Sequence, residues 1–182
     1  MAKGRFRVSH GKCCFQQTHD FARSTRKGHE AVRIGEPMKI NKLDHICIAV
    51  KDLEAARRTW EPLLSKSGPD DCYVDEREKI HVARYWIGEM GFELMESTTP
   101  DGPVAEWIKK NGEGVMVISL NVDNTRDAIA ELQNKGYPFV PDHKGKVARP
   151  FRECEFAFIH PKGLNGVLTE LIDYKWDELK GK

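Results

Sequence analysis

Residues 43–56 read LDHICIAVKDLEAA, and this stretch decides the fold. Its first eight residues are mostly β-branched or otherwise apolar, which predicts a strand over 43–50. Asp52 then stands at the position expected for a helix N-cap. Pro62 predicts where the following helix ends. The apolar residues of that helix recur at helical spacing, as Leu53, Ala56, Trp60, Leu63 and Leu64.

The same pattern returns about 72 residues later, counted from His45 to Val117. Residues 115–122 read VMVISLNV, and Asn124 or Thr125 stands at the next candidate N-cap. Gly136 predicts the end of this second helix. Its apolar stripe consists of Ala128, Ile129 and Leu132. A strand, a polar turn and an amphipathic helix therefore occur twice, which indicates an internal repeat.

Three further strand-like runs follow each predicted helix. They lie at residues 71–74, 80–87 and 91–95 in the first half, and at 138–140, 155–159 and 166–172 in the second. The predicted fold class is α+β, with two βαβββ modules whose curved sheets enclose a cleft. The predicted boundaries are a first module at 38–100, a linker helix at 101–113, a second module at 114–176 and a tail at 177–182.

The first 37 residues differ from the rest of the chain. They carry eight Lys or Arg against three acids and show no apolar periodicity, which predicts a disordered basic leader at 1–37. Two alternatives stay open. One is an organelle-targeting segment, because the leader is rich in Arg and poor in acids. The other is a metal site, whose residues would be His10, Cys13, Cys14, His19 and His29.

Composition excludes several classes of partner. Beyond the leader the acids outnumber the bases, so no nucleic-acid partner is expected. No apolar run reaches the ~20 residues of a membrane-spanning helix, so no membrane partner is expected. The five cysteines are odd in number and form no CxxC pair, which indicates free thiols. Free thiols favour a reducing compartment, and a cytoplasmic location is therefore predicted.

Three ionisable residues lie on strand faces where apolar residues are expected. His45 shares its predicted face with the small residues Cys47 and Ala49, as a residue facing a cleft would. Glu93 and Glu170 each lie in the last strand of a module between apolar neighbours, where a carboxylate is costly unless paired or metal-bound. Taken singly, each also suits a core histidine or a cross-strand acid. Their related positions in the repeat favour one divalent metal site, and the donors suit Co, Mn, Zn, Ni or Fe alike.

The chain resembles the vicinal oxygen chelate superfamily, which includes glyoxalase I, extradiol dioxygenases and bleomycin-resistance proteins. The resemblance rests on residues 43–56, on PVAEWIKKNGEG at 103–114 and on FIHPKGLNGVLTELI at 158–172. The last of these looks most like methylmalonyl-CoA epimerases. In that family the residues equivalent to His45, Glu93 and Glu170 bind one metal ion, so the resemblance implies the same roles here.

One ligand of the family pattern is missing. The fourth ligand is a His on the first strand of the second module, where this chain has Val117. The neighbouring Met116 is predicted to face the other way. The site would then have three protein ligands, be completed by water or substrate, or be impaired. The missing His also argues against a dioxygenase with two His and one carboxylate as ligands.

The resemblance implies a metal-dependent epimerase or isomerase that exchanges a proton of an acyl-CoA, such as methylmalonyl-CoA, through an enolate. Glu170 is then both a ligand and a candidate base. Glu78 and His81 are weaker candidates for the second base, because Val82 or Arg84 could occupy that place on the third strand.

Predicted contacts with the small-molecule substrate are Lys162 and Arg84. Two alternatives stay open: a glyoxalase-like lyase, and a non-enzymatic protein that binds a small molecule. The resemblance also implies a homodimer.

Overall fold

The computed structural model describes residues 37–175. These form the strands β1 (Ile40–Ala49), β2 (Asp71–Asp75), β3 (Ile80–Ile87), β4 (Met90–Ser97), β5 (Gly114–Val122), β6 (Phe139–Val140), β7 (Arg149–Phe151), β8 (Cys154–Ile159) and β9 (Leu168–Ile172). The helices are α1 (Leu53–Leu63), α2 (Pro103–Asn111) and α3 (Thr125–Asn134). The predicted leader, except Pro37, and the predicted tail lie outside the described residues, as do the alternatives of a targeting segment and a leader metal site.

The nine strands form one curled sheet in the order β2-β3-β4-β1-β5-β9-β8-β6, with β7 paired to β8. The two halves meet where β1 and β5 pair antiparallel. Each of these strands has the last strand of its own half as a parallel neighbour, β4 beside β1 and β9 beside β5. The predicted α+β fold is confirmed. Strand β7 was not predicted, because it is three residues long and contains a proline.

Helices α1 and α3 begin where short polar side chains cap them. The Asp52 carboxylate accepts a hydrogen bond from the backbone N–H of Ala55, and the Asn124 side chain accepts one from that of Asp127. Pro62 is the second-last residue of α1, so this helix ends where the sequence predicts. None of the described helices is long and apolar enough to cross a membrane.

Helices α1 and α3 cover one face of the sheet, and α2 packs against part of the opposite, concave face. Leu53 of α1 packs in a core cluster that includes Leu94 of β4. Leu132 of α3 packs in the corresponding cluster with Leu171 of β9. The opposite, concave face surrounds a cavity of about 740 Å³, which is in the range of small-molecule sites.

The buried contact between α1 and the sheet gives a test of this packing. Replacing Leu94, which is 0% exposed, with alanine should lower the free energy of unfolding by about 2–5 kcal/mol, because it leaves a cavity. The control Leu63→Ala removes a side chain that is 72% exposed and should change it by about 0.5 kcal/mol or less. Urea unfolding followed by circular dichroism measures both, and equal losses would contradict this packing.

Candidate metal centre

Two rows of paired residues cross the middle of the sheet. In one row His45 on β1 pairs with Ser119 on β5, which pairs with Glu170 on β9. In the other row Glu93 on β4 pairs with Cys47 on β1. Because His45 and Cys47 are two residues apart on one strand, both rows project from the same, concave face.

The three predicted metal ligands converge in this place. The His45 Nε2 atom lies 3.2 Å from Glu170 Oε2 and 3.6 Å from Glu93 Oε2. All three side chains are buried, and all three line the cavity. The structure therefore brings together residues that the sequence related through the repeat and through the family resemblance.

The other ring nitrogen of His45 is held by its neighbour in sequence. His45 Nδ1 lies 2.8 Å from Asp44 Oδ1. Simple alternation would place these two residues on opposite faces, but the pairing of β1 with β5 shifts register between Leu43 and His45. This irregularity lets the Asp44 carboxylate reach the imidazole. His45 Nδ1 also lies 2.8 Å from Arg84 Nη2, and the opposite ring nitrogen, Nε2, is directed at the two glutamates.

Each glutamate also contacts neighbouring side chains that fix its orientation. Arg84 Nε lies 2.9 Å from Glu93 Oε1, and Cys47 Sγ lies 3.0 Å from Glu93 Oε2. Ser119 Oγ donates a hydrogen bond of 2.5 Å to Glu170 Oε2. These contacts fix the carboxylates with oxygen atoms facing the imidazole.

Arg84 lies behind the site and is only 1% exposed. Its guanidinium also lies 3.4 Å from Asp44 Oδ1. Space for it comes from Gly91, where a Cβ atom would stand 3.0 Å from Arg84 Nε and 2.9 Å from His45 Cβ. The sequence predicted Arg84 as a substrate contact; it is among the residues that line the cavity, and it also forms an ion pair with Glu93.

The charges in the cluster shift one another. Burial lowers the pKa of His45, but Glu93 and the other acidic groups around the ring outweigh burial and hold this pKa well above its ordinary value. Burial acts to raise the pKa of Glu93, but His45 and Arg84 outweigh it and lower this pKa. Burial and the adjacent Glu93 raise the pKa of the Cys47 thiol to about 12. These directions favour a charged His45 beside an ionised Glu93.

The donor set fits a divalent metal ion. Ligand atoms bound at about 2.0–2.3 Å to one tetrahedral ion lie about 3.3–3.8 Å apart, close to the distances from His45 Nε2 to the two glutamates. Asp44, Glu93 and Glu170 carry three negative charges against the single permanent positive charge of Arg84. A divalent cation bound in place of the His45 proton would balance that excess.

The residues predicted to be the second base lie in different places. Glu78 lines the cavity, and its Oε2 accepts a hydrogen bond of 2.6 Å from Arg149. Burial raises the pKa of Glu78 against the opposing effect of Arg149. His81 does not line the cavity; its Nε2 lies 3.4 Å from Cys72 Sγ. On β3, Val82 and Arg84 alternate in position with His81, so their faces differ from that of His81. Arg84 pairs with Glu93 on β4 and therefore lies on the face of the predicted metal ligands.

Lys162, the other predicted substrate contact, is exposed in a short 3₁₀ turn, Pro161–Gly163, between β8 and β9. It is not among the residues that line the cavity. Most of the wall of the cavity away from the ionisable residues is apolar. Its larger apolar side chains include Met95, Met116, Phe151, Phe156, Phe158, Leu168 and Ile172.

Residues 44–158 match the family model described as the Glyoxalase/Bleomycin resistance protein/Dioxygenase superfamily. The chain belongs to this superfamily. The resemblance to this superfamily, predicted from residues 43–56, 103–114 and 158–172, is confirmed.

Several relatives are named as methylmalonyl-CoA epimerases. The uncharacterized protein YqjC of Bacillus subtilis is 31% identical over 139 residues, which cover 76% of this chain and 96% of that protein. The mitochondrial methylmalonyl-CoA epimerase of Bos taurus is 29% identical over 140 residues, covering 75% of this chain and 77% of that protein. A solved methylmalonyl-CoA epimerase in complex with methylmalonyl-CoA and NH4+ has a TM-score of 0.67 at 29% identity, covering 74% of this chain and 95% of that chain.

Sequence reasoning missed four residues of the site: Asp44, Cys47, Ser119 and Arg149. For Cys47 a signal was present, because the spacing His-x-Cys in a strand places both side chains on one face. Arg149 had none, because its partner Glu78 lies 71 positions away. The predicted homodimer and cytoplasmic location stay predictions.

The ion pair beneath the site gives a second test. In chelator-treated protein, Arg84→Met should lower the free energy of unfolding by about 3–5 kcal/mol, because it removes a buried partner of Glu93. Arg126→Met breaks the pair with Glu155, in which the arginine is 71% exposed, and should have a much smaller effect, because solvent screens an exposed ion pair. Adding Glu93→Gln to Arg84→Met should recover much of the loss. Urea unfolding measures all three variants, and a mild effect of Arg84→Met would show that Glu93 does not need it.

Proposed function

We propose that this protein is a metal-dependent acyl-CoA epimerase that exchanges the proton on the carbon α to the thioester. The observation that carries the proposal is that the Glu93 and Glu170 carboxylates lie 3.6 and 3.2 Å from His45 Nε2 in a large cleft. Support comes from relatives named as methylmalonyl-CoA epimerases that cover most of the chain. Methylmalonyl-CoA is therefore the first substrate to test.

His45, Glu93 and Glu170 would hold the metal ion. When bound, a divalent ion supplies Lewis acidity that stabilises negative charge on a substrate carbonyl oxygen. Neighbouring side chains hold these three ligands in position. Asp44 contacts the His45 imidazole, Arg84 contacts Glu93 and Ser119 contacts Glu170. Such support keeps the ligands in place before the substrate arrives, so less reorganisation is needed as charge develops.

Two carboxylates are proposed to move the proton. Epimerisation requires a group that removes the proton from one face of the α carbon and a group that returns it to the other. Glu170 lies at the metal centre, and Glu78 lies in the same cavity on the turn before β3. The raised pKa of Glu78, caused by burial, makes its carboxylate a stronger base than an exposed one. His81 is left out of the proposal because it does not line the cavity.

Basic side chains at the solvent-exposed rim of the cavity are proposed to contact the phosphates of coenzyme A. Arg77 and Lys79 line this rim. Lys162 was predicted for the same role and, as an exposed residue, stays a proposed contact. The apolar wall would hold the acyl portion and exclude water from the enolate.

A second candidate function is non-enzymatic binding of an apolar small molecule. The observation that favours it is the pair Val82 and Val117, which are buried on the concave face at places predicted for an acid and for a His. A glyoxalase-like lyase would use the same metal centre with a different substrate. Metal content and proton exchange separate these functions.

Incubation with methylmalonyl-CoA in deuterated water gives the direct test. Protein purified without chelator should contain about one divalent ion per chain and should incorporate deuterium at the α carbon, measured by mass spectrometry. Removal of the ion should abolish exchange, and its return should restore it. Metal-free protein that binds apolar ligands would favour the binding protein. A loaded protein without exchange would favour another reaction, such as that of a lyase.

The role of Glu78 can be tested with each epimer separately. Glu78→Gln should slow interconversion of the epimers about 10²- to 10⁴-fold, because it removes one of the two proton-transferring groups. Deuterium exchange of one epimer should persist, because Glu170 still serves that face. Glu89→Gln, on the exposed turn before β4, is the matched control and should leave both rates unchanged. Normal interconversion in Glu78→Gln would remove this residue from the mechanism.

A further inference from the structure

The place of the missing fourth ligand lies opposite a cysteine. Val117 stands where the family resemblance implies a His, and its paired residue on the neighbouring strand β1 is Cys47. Cys47 is 4% exposed, and its Sγ lies 3.0 Å from Glu93 Oε2. The potential ligand atoms of His45, Cys47 and Glu93 all lie within 4.8 Å of one another. Sulfur is therefore available on the side of the site from which the imidazole is absent.

We infer that Cys47 is the fourth protein ligand, so that the centre binds its ion through one nitrogen, one sulfur and two carboxylate oxygens. The inference rests on the metal centre of the proposed function. Since a bound sulfur is a thiolate, the thiol proton leaves to solvent when the ion binds. A thiolate in the set selects zinc or cobalt over manganese or magnesium, which prefer oxygen ligands.

A plainer role for Cys47 would be to support Glu93. The repeat places Ser119 where Cys47 stands in the first half, about 72 residues earlier, and Ser119 donates a hydrogen bond to Glu170. The two sites differ, however. Glu93 already has Arg84 beside its Oε1 atom, and a thiol is a weak hydrogen-bond donor compared with a hydroxyl. The variant Cys47→Ser separates the two roles, because it keeps a donor and removes the sulfur.

Loading with Co(II) gives a direct spectroscopic test that needs no substrate. A thiolate bound to Co(II) adds a charge-transfer band in the near ultraviolet, whereas the visible bands report binding by any ligand set. The full chain contains four other cysteines, Cys13, Cys14, Cys72 and Cys154. A full-length variant with these four changed to serine keeps Cys47 as its one thiol and should show the band. Cys47→Ser in the natural chain should lose this band and keep visible cobalt bands.

Two results would overturn the inference. One is a single-thiol variant with visible cobalt bands but no charge-transfer band, and the other is a band that survives in Cys47→Ser. If circular dichroism shows that Cys47→Ser does not fold, the single-thiol variant decides alone. The test distinguishes this inference from the proposed function. A protein that shows the sulfur band but no deuterium exchange would support Cys47 as a ligand and contradict the epimerase activity.

Discussion

The antiparallel pairing of β1 with β5 is the constraint on which the rest of the structure depends. It joins the two halves into one sheet, and its register sets His45 against Ser119 and Cys47 against Val117. Since β4 and β9 flank this pair in parallel, their glutamates arrive on either side of the imidazole. A shift by one residue would turn the whole set towards the helices. The site is thus a property of strand register rather than of any loop.

The second constraint is charge. Asp44, Glu93 and Glu170 are buried together, and burying carboxylates without partners would be very costly. Arg84 offsets part of that charge from beneath, and the imidazolium of His45 offsets more when no metal ion is bound. This arrangement explains how a strongly charged cluster can exist in the folded chain.

Much of the site could be predicted from the sequence because the repeat relates its parts. Glu93 and Glu170 were found as acids in corresponding strands, and His45 was found from the alternation of one strand. The place of His81 depends on which face of β3 meets the cavity, and alternation alone does not settle that. The role of Arg84 depends on the space left by Gly91 on the neighbouring strand. Such relations join positions on different strands, and no local pattern encodes them.

The sequence by itself determined the βαβββ repeat, its helix ends and the three converging ionisable residues, because apolar periodicity and capping are local properties. Only the tertiary structure decided what surrounds those residues. It paired Cys47 with Val117, where the resemblance implies a His. It also placed the Asp44 carboxylate beside the imidazole and the Glu78 carboxylate beside Arg149. These contacts arise from cross-strand register, a strand irregularity and the curl of the sheet. Each is a consequence of distant segments packing together, which is why the sequence pattern did not contain them.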